Sequence, residues 1–181
     1  MLKIYTTLFI FIFFNVSAEV VQKLQVTGND RISQETIKVY GDISIGKDYS
    51  QSNVNEILKN LYNTNFFEDI KISLNNGILD ISVKEYAIIY SIDLDGEDSK
   101  TIKKFVLEQL ALKDKESFIE NLLEQDVSQI RKIYASIGFN FASVEPRIER
   151  FSQNRINLVY FLDKGKKTDI GKINFIGDKK V

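Results

Sequence analysis

The side chains that this sequence lacks restrict its chemistry more than the side chains it has. Its 181 residues include no histidine and no cysteine. That composition excludes Ser-His-Asp and Cys-His catalysis, and it removes the imidazole and thiolate ligands that zinc prefers. Carboxylates are plentiful, and a pair of them could hydrolyse a glycoside. A secreted carboxylate-pair hydrolase is therefore kept as an alternative, although most acidic residues fall on predicted turns and solvent-facing strand positions.

One acidic segment, Asp93-Leu94-Asp95-Gly96-Glu97-Asp98, has the composition of a calcium loop. Its glycine comes fourth, whereas the helix-loop-helix calcium pattern needs a glycine sixth after oxygen ligands at alternating positions. We interpret the segment as a polar turn. The sequence thus predicts a protein that is not an enzyme, with no catalytic residues, no metal ligands and no cofactor.

A phrase of five residues occurs three times, as Leu24-Gln25-Val26-Thr27-Gly28, Ile92-Asp93-Leu94-Asp95-Gly96 and Ile173-Asn174-Phe175-Ile176-Gly177. Apolar residues two apart lie on one face of a β-strand, and the glycine allows the turn that follows. Three copies at a domain-sized spacing indicate a tandem array.

A second phrase lies between the glycines in the same relative place. Leu58, Leu61, Tyr62 and Phe67 have the same spacing as Ile130, Ile133, Tyr134 and Phe139. The chain is therefore predicted to hold two complete units and the first strand of a third. The predicted boundaries are a signal peptide at 1–18, a first module at 19–86, a second module at 87–166 and a truncated third module at 167–181.

Within the first unit the apolar spacing changes from strand to helix and back to strand. Val20 to Val26 is a predicted strand, Ser33 is a predicted helix N-cap, and the apolar stripe of a longer helix begins at Val54. Alternating residues then predict two strands joined by the hairpin turn Asn75-Asn76-Gly77. The fold class is α+β, with tandem β-α-α-β-β modules. Each module is a three-stranded sheet covered by two helices on one face.

The second unit repeats this order and contains the only proline of the chain. Ala142, Val144, Pro146 and Ile148 are predicted to share one strand face. Proline cannot donate a ladder hydrogen bond, so this strand is predicted to lie at a sheet edge with position 146 facing away from its neighbour.

The N-terminus is predicted to be a cleaved secretory signal peptide. Lys3 is the only charge before Glu19, Leu8 to Phe14 is apolar, and cleavage is predicted between Ala18 and Glu19. The alternative is an uncleaved anchor, but its apolar core is much shorter than the roughly 20 residues that span a bilayer. Cleavage leaves 23 basic and 25 acidic residues, and no basic segment indicates a nucleic-acid partner.

Three segments resemble the polypeptide-transport-associated (POTRA) family: the strand that ends at Gly28, the helix end from Leu61-Tyr62 to Phe66-Phe67, and Ile130 to Phe139. Asn65 stands where the family usually has a glycine before the aromatic residue. Tandem copies behind a signal peptide resemble the BamA family of outer-membrane assembly factors. Other proteins with such modules, namely the translocation and assembly factor TamA, two-partner secretion pores and a cell-division protein, are alternatives.

The resemblance implies a periplasmic location, attached to the bacterial outer membrane through a C-terminal β-barrel that this chain lacks. It also implies unfolded outer-membrane proteins and other subunits of the assembly complex as partners. We expect an extended client segment to add as a further strand at an exposed edge, and in relatives that edge is the second strand of a unit. That strand corresponds here to Phe67, Glu68, Asp69, Ile70, Lys71, Ile72, Ser73 and Leu74, with Ala142, Ser143, Val144 and Glu145 as a secondary edge. Because Pro146 removes one donor, we expect clients to prefer the first edge.

Overall fold

A computed structural model describes residues 18–152, 154–169 and 171–172. The chain divides into two compact units, Met1–Glu85 and Tyr86–Val181. The predicted signal peptide up to Ser17 and the predicted strand of a third module, Ile173 to Gly177, lie outside the described residues. In the part of the chain that is described, helices are all too short or too polar to cross a membrane.

The first unit is built around a three-stranded sheet. Its elements are β1 (Glu19–Val20), β2 (Lys23–Thr27), α1 (Gln34–Tyr40), β3 (Asp48–Tyr49), α2 (Gln51–Tyr62), β4 (Phe67–Asn75) and β5 (Ile78–Glu85). The strand order is β2-β5-β4, in which β5 pairs with β2 in parallel and with β4 in antiparallel orientation. The central strand is therefore the last one in sequence, and β4 is an edge.

Short polar signals set the ends of these elements. Ser33 accepts a hydrogen bond from the N–H of Thr36 at 3.1 Å and begins α1. Ser50 and Asn53 form a reciprocal capping box that begins α2. Asn76 and Gly77 have φ angles of 52° and 75°, as a two-residue hairpin turn between β4 and β5 requires.

One face of the sheet carries the core of the first unit. Along β5, Leu79, Ile81 and Val83 are buried and alternate with exposed residues. They pack with the buried residues Ile57 and Leu61 of α2. The three-stranded sheet and its helices confirm the predicted α+β class.

The second unit repeats the architecture. Its elements are β6 (Ile88–Asp95), α3 (Lys100–Glu108), α4 (Asn121–Ser136), β7 (Ser143–Ser152) and β8 (Arg155–Asp163). The strand order is β6-β8-β7, again with a parallel pair and an antiparallel pair around the last strand. Ile156, Leu158, Tyr160 and Leu162 of β8 are all buried.

A buried carboxylate ties the helices of the second unit to its sheet. Asp126 of α4 is 1% exposed and accepts hydrogen bonds from the N–H groups of Ala111 and Leu112 at 2.5 and 3.1 Å. It also accepts one from the Tyr160 hydroxyl at 3.0 Å. Burial and the neighbouring Asp126 carboxylate raise the pKa of Tyr160 above its usual range. The phenol therefore stays protonated and acts as a donor.

The first strand of the chain is interrupted where a continuous strand from Val20 to Val26 was predicted. β1 pairs with β3, whereas β2 pairs with β5. Val21 lies between them and bonds through its N–H to Lys47 and through its carbonyl to Gly46, at 3.0 and 2.7 Å. The strand is interrupted at Val21 because the backbone changes its pairing partner from β3 to β5. The spacing of apolar residues is the same for either partner, so it did not predict the interruption.

The second repeated phrase is also offset by one residue from the predicted match. Tyr62 is 40% exposed, whereas Tyr134 is fully buried. The residue of the first unit that occupies the position equivalent to Tyr134 is the buried Leu61. The turn after each helix agrees with this offset, because Asn65 and Gly138 have positive φ angles of 57° and 98°. Asn65 thus provides the left-handed residue for which the family usually has glycine.

Candidate peptide-binding edge strands

The free edge of β4 presents alternate backbone groups. In an antiparallel pair, facing residues alternate between pairs that exchange two hydrogen bonds and pairs that exchange none. Asn75 and Ile78 close the hairpin as a bonded pair, so the pairs Lys71–Ser82 and Ser73–Asp80 are also bonded. The N–H and C=O groups of Ile70, Ile72 and Leu74 therefore point away from β5.

Two of these outward amides are open. The N–H of Ile70 donates to the hydroxyl of Tyr62 at 3.2 Å, which agrees with the assigned direction. Among the described residues, the outward amides of Ile72 and Leu74 have no acceptor. An unpaired row of this kind is the site at which an extended peptide adds as a further strand.

A groove of about 360 Å³ lies beside the same part of the strand. Ile72, Leu74 and the buried Val54 of α2 supply its apolar surface. The remaining lining residues are Glu19, Tyr49, Ser50, Gln51 and Ser73. Side chains of an added strand alternate between the two faces, so every second one would lie over this groove.

The opposite face of β4 is charged. Asp69 and Lys71 form an exposed ion pair at 3.6 Å, and Glu68 pairs with Lys84 of β5 at 2.8 Å. Glu68 lies in a bulge, since the register shifts between Phe67 and Asp69. The structure thus divides the predicted edge segment, placing the Ile70, Ile72 and Leu74 side chains against the core and the charged residues towards solvent.

The second predicted edge, β7, is less open. Pro146 faces Tyr160 of β8, in the same place that Ile72 faces Ile81 of β5. Proline has no N–H, so β7 lacks the donor that β4 presents at Ile72. The outward carbonyl of Val144 also accepts a long hydrogen bond from Arg131 at 3.5 Å. Ala142 precedes β7, which corrects its predicted place in the strand.

Val144, Pro146 and Ile148 share one face of β7 as predicted, since no register shift falls between them. Val144 is buried and Ile148 is half-buried, but Pro146 is exposed. The lost donor and the exposed ring make this edge a poor template for an added strand.

Sequence reasoning missed that β6, the opposite edge of the second sheet, is partly covered. In the second unit, Ile89 of β6 exchanges backbone hydrogen bonds with Lys115 and Glu116 at 2.7 and 2.9 Å. The Asp114 carboxylate accepts from the N–H of Ile92 at 2.6 Å. Residues 114–116 lie between α3 and α4 and show no strand-like alternation of apolar and polar residues. Their contacts with β6 were therefore not predicted from the sequence.

Residues 87–165 match the POTRA family, described as surface antigen variable number repeat. This match falls within the second unit. The chain is also similar to the outer membrane protein assembly factors BamA of Neisseria meningitidis, 28% identical over 88% of this chain, and of Neorickettsia risticii, 20% identical over 89%. These matches confirm the predicted resemblance to the POTRA region of BamA.

A likeness in fold to a solved structure extends over both units. The N-terminal domain of Omp85 from Thermosynechococcus elongatus superposes with a TM-score of 0.51 at 13% identity, covering 82% of this chain and 64% of that one. The present chain spans only 20% and 22% of the two BamA relatives. The superposition shows a shared fold.

Proposed function

We propose that this chain is the periplasmic scaffold region of an outer-membrane β-barrel assembly factor, and not an enzyme. The curated relatives named above are such assembly factors, and their similarity covers nearly nine-tenths of this chain. The proposed location is the periplasm, with attachment to the outer membrane through a β-barrel outside this chain. Its proposed partners are unfolded outer-membrane proteins and other subunits of the assembly complex.

The observation that carries a client-binding role is the open edge of β4. A backbone ladder reads no particular side chains, so one edge accepts many unfolded sequences. The outward amides of Ile72 and Leu74 give the ladder two donors, and the groove beside α2 receives alternate client side chains. We infer that an extended client segment adds to β4 in preference to β7, where Pro146 removes the equivalent donor.

Replacing Ile72 with proline tests this role, because it deletes an outward donor without removing a β4–β5 hydrogen bond. We expect the yield of photo-cross-links from an unfolded outer-membrane protein segment to residues 67–75 to fall at least about fivefold, since one lost hydrogen bond costs about 1 kcal/mol. Cross-link yield mapped by mass spectrometry is the measurement.

The matched control is Ile72→Ala, which removes side-chain packing but keeps the N–H. We expect its cross-link yield to stay close to that of the native chain, and thermal unfolding checks that both variants fold. Equal yields from the folded proline and alanine variants would contradict strand addition at β4. The reciprocal change, Pro146→Ile, restores a donor to β7 and is expected to raise cross-linking there.

A further inference from the structure

The second unit has a larger cavity away from the client-binding edge. It lies between β6, α3 and the segment that follows α3, and its volume is about 640 Å³. Its apolar lining comes from Ile92, Leu107 and Leu112, of which Leu112 is 2% exposed. The charged lining has four lysines, Lys100, Lys103, Lys104 and Lys113, and two carboxylates, Glu108 and Asp114, so it carries an excess of two positive charges. A cavity of this size is typical of small-molecule sites.

Added peptide strands are disfavoured at this cavity. The N–H of Ile92 points away from β8 but already donates to Asp114 at 2.6 Å. The carbonyl of Tyr90 accepts from the ammonium group of Lys115 at 3.0 Å. Because these side chains occupy the β6 edge, a ligand here is recognised by apolar contact and charge and not by a backbone ladder.

Two of the four lysines make short contacts with other groups of the protein, and the other two do not. Lys103 pairs with Asp93 at 2.6 Å. Lys113 donates to the carbonyls of Leu107 and Glu108 at 3.2 and 2.8 Å. Lys104 makes only an exposed 3.8 Å pair with Glu108, and Lys100 has no partner among the described residues. Two neighbouring ammonium groups on the first turns of α3 are thus available to an anionic ligand.

We propose that this cavity binds the monomeric form of a single-chain anionic amphiphile, namely a fatty acid. The alkyl chain lies on the half-buried Ile92 and Leu107, above the buried Leu112, and the carboxylate pairs with Lys100 and Lys104. The apolar floor selects a hydrocarbon chain, while the lysines select an anionic head group over a neutral or cationic one. This inference does not depend on client binding at β4.

Laurate below its micellar concentration is the probe, added to the full chain. Calorimetry gives affinity, and backbone amide NMR shifts give location. We expect shifts centred on Ile92, Leu107 and Leu112, with no comparable response to dodecyl maltoside at the same concentration. In the double variant Lys100→Glu/Lys104→Glu the affinity is expected to fall at least about tenfold, because two attractive charges become repulsive.

The matched control is Lys38→Glu/Lys132→Glu, which reverses two exposed lysines that do not line the cavity. We expect it to bind laurate as the native chain does. The proposal is overturned if laurate does not bind, if both double variants bind equally, or if dodecyl maltoside binds as well as laurate. Binding only to anionic phospholipid vesicles would also overturn it, in favour of a membrane-surface contact.

Discussion

Replacing Gly28 or Gly96 with alanine is expected to destabilise the unit that contains it by about 3 to 5 kcal/mol. Both glycines have positive φ angles, 79° and 91°. A β-carbon on Gly28 would collide with the carbonyl oxygen of Val83, and one on Gly96 with that of Leu162. These oxygens belong to the central strands β5 and β8, so the clash cannot be relieved by a side-chain rotation.

Gly46→Ala separates the clash from the backbone strain. Gly46 has a similar φ angle of 85°, but a β-carbon there would meet nothing within 4 Å. We expect this variant to lose only about 1 to 2 kcal/mol, the cost of the left-handed conformation alone. Urea unfolding followed by amide exchange in β5 and β8 measures each unit separately. Similar losses in all three variants would contradict the close-approach explanation.

Asp126→Ala is expected to destabilise the second unit by about 3 to 5 kcal/mol. The substitution leaves the N–H groups of Ala111 and Leu112 and the hydroxyl of Tyr160 without their shared acceptor. The site is almost fully buried, so water does not readily replace the lost carboxylate. The measurement is the urea midpoint of the second unit, with amide exchange in β8 as its probe.

Two variants bracket this effect. Glu124→Ala removes an exposed carboxylate from the first turn of the same helix, and we expect it to cost less than about 0.5 kcal/mol. Tyr160→Phe removes one of the three donors but leaves the carboxylate its two backbone partners, and should cost about 1 kcal/mol. A loss in Asp126→Ala no greater than in Tyr160→Phe would show that the backbone contacts contribute little.

The repeated elements could be predicted because local signals specify them. Gly28 and Gly96 each follow a strand pattern in the sequence, and in the structure β2 and β6 end at the residue before these glycines. Ser33 and Ser50 cap helices, and Asn76-Gly77 forms the hairpin turn. Each of these features depends on residues within a few positions of one another. The edge position of the strand before each hairpin was predicted from the family resemblance and, in the second unit, from Pro146, since periodicity alone does not distinguish an edge strand from a central one.

Features that depend on contacts between distant residues could not be predicted. Whether Tyr62 or Leu61 corresponds to Tyr134 depends on which residue faces the sheet, and matching spacing gave the wrong answer by one position. The placement of Pro146 opposite Tyr160, where Ile72 lies opposite Ile81, requires the registers of both hairpins. The cap on β6 comes from Asp114 and Lys115, which lie more than 20 residues along the chain from their partners.

The contrast between the two hairpins gives the edge hypothesis its physical basis. Both units have the same strand order, yet only β4 keeps a donor at the position that Pro146 occupies in β7. A sheet edge that is open in one unit and interrupted in the next would concentrate client binding on the first. The Ile72→Pro substitution follows from this comparison, because it removes from β4 the same N–H donor that Pro146 removes from β7.

Amide hydrogen exchange at β4 during binding of an unfolded outer-membrane protein segment tests the central claim most directly. The outward amides of Ile72 and Leu74 are expected to exchange at least about tenfold more slowly when the segment is bound, because each gains an acceptor. Lys71 and Ser73, already bonded to β5, should change little, as should the amides of β7. Binding without added protection at Ile72 and Leu74 would contradict strand addition to β4.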